Sequence, residues 1–166
     1  MADDATDEHV QLALIVALAF FVALAGVGGW LGYRAYQSHQ AQEQRNLFLQ
    51  VGRLGALNVT SISYTDAEAD VQRVLDSATG SFYDDYQNRS SALIDLVKKL
   101  RSKTEATVTE AGVESQQGDQ ANVLVAMVVK TSNVQAPEQQ PTAWRMRVTV
   151  QKVGDGAKVS NVKLLQ

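Results

Sequence analysis

The chain contains no cysteine. That excludes a disulfide scaffold, thiolate zinc sites, iron–sulfur clusters and any cysteine nucleophile. Histidine is nearly absent too: His9 and His39 are the only two, too few for an imidazole metal cage or a charge-relay site. His39 stands alone in a polar stretch and reads as solvated. The net charge of −3 leaves no strongly basic face, so no nucleic-acid partner is expected. No Ser-His-Asp set, glycine-rich phosphate loop or metal-ligand spacing is present. Catalytic, cofactor-binding and metal-binding residues are therefore expected to be none. A length of 166 residues suits one domain with an appendage and excludes a multi-domain enzyme.

Basic residues are also missing from the first 33 positions, which carry Asp3, Asp4, Asp7 and Glu8. The remainder holds all 15 Lys and Arg and 14 of the 18 acidic residues, a balance of +1. The two compositions meet at a membrane segment. From Leu12 to Tyr33 run 22 residues without a charge, LALIVALAFFVALAGVGGWLGY. As a helix at about 1.5 Å per residue they reach roughly 33 Å, enough for a hydrocarbon core of about 30 Å. Trp30, Tyr33 and Arg34 sit where interfacial anchors belong, with Tyr36 beyond them. Two alternatives fit less well. A buried core helix apolar on every side is seldom this long. A cleaved signal peptide fits Ala23-Leu24-Ala25, but its leading segment should be basic, not acidic, and the apolar run continues past that point. Within the span, Gly28 and Gly32 form a GxxxG pair and Ala25 and Gly29 a second small pair. Such residues let another membrane helix approach closely, although glycine and alanine are common in spans anyway. The arginines after the span favour a cytoplasmic C-terminal domain, but long domains translocate largely regardless of charge, so orientation stays open.

Residues 34–57 read as a helical stem, polar at first and then striped with Leu47, Phe48, Val51 and Leu54. The soluble domain, 58–166, falls in two halves. In the first, Thr65-Asp66-Ala67-Glu68 has the capping-box form, and Val71, Val74, Leu75 and Ala78 recur at helical spacing before Gly80. A short turn or helix at Phe82, Tyr83 and Tyr86 precedes a further helix from about Ser90 to Ser102, with Leu93, Leu96, Val97 and Leu100 on one face. In the second half, β-rich runs cover about 106–114, 121–131, 142–153 and 157–165. The third alternates Trp144, Met146, Val148 and Val150 against Arg145, Arg147, Thr149 and Gln151, one face buried and one wet. Short turns at Gln116-Gln117-Gly118-Asp119 and Gly154-Asp155-Gly156, with a polar loop from Asn133 to Pro141, link them as a meander. The fold class expected is α+β: an acidic tail (1–11), one transmembrane helix (12–33), a stem, then helices on a four-stranded antiparallel meander. That order reads as a cone of the nuclear-transport-factor-2-like type.

The run Asp70-Val71-Gln72-Arg73-Val74-Leu75-Asp76-Ser77-Ala78-Thr79-Gly80-Ser81-Phe82, with Trp144-Arg145-Met146-Arg147-Val148-Thr149-Val150-Gln151-Lys152-Val153 later, resembles the soluble domain of the actinobacterial Mce-associated membrane proteins (Mce, mammalian cell entry). The membrane helix and stem fit as well, so the resemblance covers about residues 10–165. It implies a short cytoplasmic tail, an extracytoplasmic domain similar in fold to the VirB8-type components of secretion systems, and an accessory role in Mce lipid-import transporters at the plasma membrane. Ala157 departs from the pattern, where a bulky aromatic is expected at the start of the last strand.

Three roles follow as expectations. The first is a non-catalytic accessory subunit held to the Mce permease and Mce subunits through its membrane helix and stem. The second is a lipid-binding module using an apolar cone interior. The third is a VirB8-like self-assembling envelope scaffold, hence a homo-oligomer. An enzyme would need a titratable group inside the cone. The one tight acidic-aromatic cluster, Asp84-Asp85 beside Tyr83 and Tyr86, reads better as a solvated helix end. The basic run Lys98-Lys99-Leu100-Arg101-Ser102-Lys103 reads as a helix C-terminus complementing its own dipole. The sequons at Asn58 and Asn88 would matter only in a eukaryotic secretory pathway.

Overall fold

The computed structural model describes residues 40–137 and 139–165. The acidic tail, the apolar run 12–33 and the stem up to residue 39 lie outside them. Among the described residues no helix is long and apolar enough to cross a membrane. Residues from Gln44 onward form one compact unit.

Its elements follow one another as helix α1 (40–60), strand β1 (Ile62–Ser63), helices α2 (Ala67–Ser77) and α3 (Gly80–Leu100), then strands β2 (Lys103–Gln117), β3 (Gln120–Ser132), β4 (Thr142–Val153) and β5 (Gly156–Leu165). The sheet is antiparallel throughout and ordered as in sequence. It has five strands, not the four expected. The extra strand is two residues long, pairing Ile62 with Thr104 and Ser63 with Lys103. So short a strand leaves no periodicity to read. Strands β2 and β3, and β4 and β5, are joined by two-residue turns at Gly118-Asp119 and Gly154-Asp155. Each places glycine first with positive φ (55° and 59°), as a type II′ hairpin requires.

Alternation decides the inner face. Val123, Val125, Met127 and Val129 of β3, Met146, Val148 and Val150 of β4 and Val159 of β5 are buried, while their neighbours in sequence face out. Ala157 is half-buried against this cluster, a small residue at the strand's first turn. Helix α1 lies on the inner face, but only Phe48 and Val51 of the expected stripe pack there. Phe48 is fully buried, whereas Leu54 is 57% exposed, and Leu47 and Val51 are only half-buried. The contact face is Phe48, Gly52, Gly55, Ala56 and Thr60, a small-residue stripe that a search for large apolar side chains passes over. A methyl group on Gly52 would stand 2.7 Å from Val123 Cβ, and one on Gly55 would collide with Val159. The helix backbone therefore rides directly on the sheet, and α1 continues three residues past Leu57 to do so. Thr60 closes the face, its hydroxyl donating to the Ala56 carbonyl at 2.8 Å.

Residues 80–100 form a single helix, not a turn followed by a helix from Ser90. Beyond Gly80 the segment contains no glycine or proline to break it, and Gln87-Asn88-Arg89 are simply its wet side. Of its 21 residues only Val97 is buried, and Leu96 and Leu100 are 53% and 37% exposed. The expected face of Leu93, Leu96, Val97 and Leu100 is thus only partly used. Arg101, at φ 46°, ends the helix, with Ser102 N–H donating to Val97 O at 2.9 Å. The capping box at α2 does not form: Glu68 reaches Lys98 instead of its own helix end. Asp70, which accepts from Ser63 N–H, ties this helix down instead.

Candidate interaction surfaces

The residues expected to pack the membrane helix, Ala25, Gly28, Gly29 and Gly32, and the anchors Trp30, Tyr33 and Arg34 lie outside the described residues. The compact unit presents two surfaces of its own.

The helix-distal face of the sheet carries the first. Outward positions of β2, β3 and β4 place Gly112 opposite Leu124, and Ala126 between Glu110 and Arg145. With Leu165 paired beside Arg145, they line a groove of about 340 Å³. Gly112 forms its floor because a side chain there would meet nothing within 4 Å. One step along, Arg147 grips Glu114 bidentately across β3, Nε to Oε2 at 2.6 Å and Nη2 to Oε1 at 2.7 Å. Each holds the other charged: the hydrogen bond lowers the Glu114 pKa and raises that of Arg147. Next, Thr149 donates to Asn122 at 3.0 Å and Asn122 to Ser115 at 3.0 Å. Strand alternation alone makes the β3 and β4 positions outward, but the β2 positions and the pairing that joins three strands need the register. Two bulges in β2, at Val108/Glu110 and Val113/Ser115, shift which residues face out.

The second surface is the helical layer. Asp70 is buried and accepts from Ser63 N–H at 2.8 Å on one oxygen and from Arg73 Nη2 at 2.6 Å on the other. Both oxygens are committed, so Asp70 fastens β1 to α2. Its charge adds to the burial that raises the Tyr86 hydroxyl pKa, burial being the larger cause. Tyr86 leans on Phe82, ring centroids 5.9 Å apart. Asp84 and Asp85 do not join this pair; both point to solvent from the first turns of α3. The basic run does end α3, with Lys98 and Lys99 in its last turn. Lys98 is paired with Glu68 and Lys103 with Glu105 at 2.6 Å, and each hydrogen bond lowers the glutamate's pKa. The loop after β3 folds back here: Asn133 Oδ1 accepts from Gln135 and Ala136, and Val134 N–H donates to Leu100 O at 3.2 Å. Among the described residues no group of three His, Asp or Glu is placed to hold a metal ion.

Gly52, Gly55, Asp70 and Gly112 are the positions that sequence reasoning missed. The signal available was Gly52-x-x-Gly55 inside an otherwise helical stretch, where glycine costs about 1 kcal/mol against alanine and so implies a close neighbour.

A family described as "Uncharacterized protein Rv1363c/MT1408-like" matches residues 9–166. The protein Rv1363c of Mycobacterium tuberculosis is 35% identical over 158 residues, covering 93% of this chain and 60% of that protein. The chain thus spans about three-fifths of that relative's length. Among solved structures, an IcmL-like type IV secretion system protein from Legionella pneumophila superposes with a TM-score of 0.59 at 13% identity, over 73% of this chain and 91% of that one. CagV of Helicobacter pylori, a VirB8 homolog, gives 0.56 at 11% identity over 73% and 99%. At such identities the likeness is one of fold.

Proposed function

The chain belongs to the Rv1363c/MT1408-like family, and from that footing we propose that it is a membrane-tethered, non-catalytic assembly subunit of a cell-envelope complex. The observation that carries this is the filled interior. The inner face of the sheet is occupied by the domain's own helix α1, glycine against valine, which leaves the outer surfaces for partners. That filling also speaks against a lipid held inside the cone. The 12–33 run supplies the tether, and a domain outside the cytoplasm fits a fold shared with periplasmic domains of other proteins.

The complex proposed is an Mce lipid importer, on the strength of the sequence resemblance. Attachment then runs through the membrane helix, where acyl chains give no hydrophobic preference and close packing must supply the contact. Affinity purification of the tagged full chain from native membranes in mild detergent should bring down permease and Mce subunits. Gly28→Leu with Gly32→Leu keeps the span apolar but fills its groove, and should abolish that co-purification. Retention of the partners by the double-leucine variant would move the attachment elsewhere. Recovery of this chain without transporter subunits would favour the second reading, a self-assembling scaffold, which the VirB8-like fold supports.

A further inference from the structure

Helix α3 turns almost its whole length to solvent, and one stripe of it carries an ordered set of charges. Asp85, Asn88, Arg89, Ala92, Asp95, Leu96 and Lys99 are all exposed. Their spacing of three and four keeps them on one face, away from the side that buries Val97. Among the described residues none of the four charges in this stripe has an ion-pair partner, although Asp85–Arg89 and Asp95–Lys99 stand four apart. Ala92 is the centre of the stripe, and the charges invert about it. Arg89 lies three residues before Ala92 and Asp95 three after. Asp85 lies seven before and Lys99 seven after.

A helix whose charges change sign about its midpoint is complementary to itself when turned end for end. We propose that α3 pairs with α3 of a second copy of this chain, antiparallel, on a two-fold axis through Ala92. Asp85 of one protomer then faces Lys99 of its partner, and Arg89 faces Asp95; the symmetry makes each pair twice. Alanine at the crossing point permits a close interaxial distance, at the low end of about 8–10 Å. Leu96, more than half exposed, is covered by the partner's helix beside Asn88. Charge complementarity names the occupant: an unrelated partner has no reason to match this inversion, while a second copy matches it by construction. This deepens the self-assembly reading above, and the experiment separates the two.

The cysteine-free chain makes the test clean. Ala92→Cys in the full-length protein in native membranes should give a disulfide-linked dimer under mild oxidation, since the axis brings the two sulfurs together. Asp119→Cys, at the β2–β3 turn, should not. Adding Asp85→Lys to the Ala92→Cys chain places like charges opposite one another twice and should lower dimer yield about tenfold, as should Lys99→Asp. Combining D85K with K99D restores opposite charges and should restore the yield. No crosslink at Ala92 above the Asp119 control overturns the proposal, and so does failure of the double reversal to recover. Native mass spectrometry of the full chain in detergent then tells the two readings apart. A dimer that persists without the Ala92 crosslink keeps self-assembly and removes α3 from it, while a monomer removes both.

Discussion

Adding one methyl group at Gly52 tests how tightly α1 is clamped to the sheet. In an open helix Gly→Ala stabilises by about 1 kcal/mol, because glycine loses more backbone freedom on folding. Here the new Cβ would lie 2.7 Å from both Cβ and Cγ2 of Val123 and 2.9 Å from Cγ1. Ordinary carbon contacts need about 3.5–4.0 Å, so helix and strand must part by roughly 1 Å. Val123 cannot turn aside, because Cβ itself is one of the atoms struck and its χ1 is stiff. Parting also loosens Phe48 and Ala56, both fully buried on the same face. Overpacking of this kind costs about 1–3 kcal/mol. Set against the propensity gain, the net expectation is a loss of about 1 kcal/mol, or roughly 3–5 °C in melting temperature for a domain of this size. Circular dichroism melts of the full chain in detergent would measure it. Two comparisons sharpen the reading. Gly112→Ala enters open space and should be neutral or slightly stabilising. Val123→Ala removes both Cγ atoms but keeps the struck Cβ, so the double variant G52A/V123A should recover part of the clash and be more stable than the two losses added, by up to about 1 kcal/mol. A Gly52→Ala protein that melts at or above wild type, without coupling to Val123→Ala, would refute the clamp.

Asp70→Ala should destabilise by about 1–3 kcal/mol in a urea titration, leaving Ser63 N–H and Arg73 without their acceptor; Asp70→Asn should cost less, since its amide oxygen still accepts from Ser63. Glu68, Glu105 and Glu114 have pKa values lowered by Lys98, Lys103 and Arg147, so their contribution is complete above the unfolded carboxylate pKa of about 4.3 and fades as pH falls through the lower folded values. Melting temperature should therefore fall between pH 5 and 3, less steeply in a chain with all three changed to Gln; equal slopes would count against it. Ser81→Cys, exposed at the start of α3, should react with a membrane-impermeant thiol reagent in intact cells whose outer envelope admits it. Labelling confined to lysed cells, with an exposed control labelled, would reverse the topology.

The sheet was legible because its rule is local. A strand with one wet face writes alternation into consecutive residues, and Trp144 to Gln151 did so over eight positions. Glycine-led turns marked the hairpins for the same reason. The helical layer was read less well, since helix faces are decided by what they meet. Leu54 and Leu96 look like core by spacing and are exposed, whereas Gly52 and Gly55 look like breakers and are contact points. Thr65-x-x-Glu68 has every local feature of a cap, yet Lys98, thirty residues away, takes the glutamate. Asp70 likewise depends on Ser63, whose two-residue strand has no pattern to find. The misses at Gly52, Gly55 and Glu68 turn on contacts distant in sequence that compete with a short-range preference.

The fold is shared with secretion proteins at 13% and 11% identity, which constrains where this chain's own function lies. Keeping the architecture requires apolar residues at the inward positions and small ones beneath α1, and many sequences meet that demand. Nothing in it dictates Glu110, Arg145 or the charge order of α3, because all of these point away from the core. An outward residue is free of the fold and can be answerable to a partner. Two surfaces of the unit carry such residues: the helix-distal sheet face and the stripe on α3. They lie on different layers and share no side chain, so substitutions on one should leave the other's contacts intact. If Arg145→Glu left Ala92-mediated crosslinking unchanged while Asp85→Lys reduced it, the two faces would be independent. Loss of crosslinking in both would mean that the sheet face and α3 belong to one continuous interface.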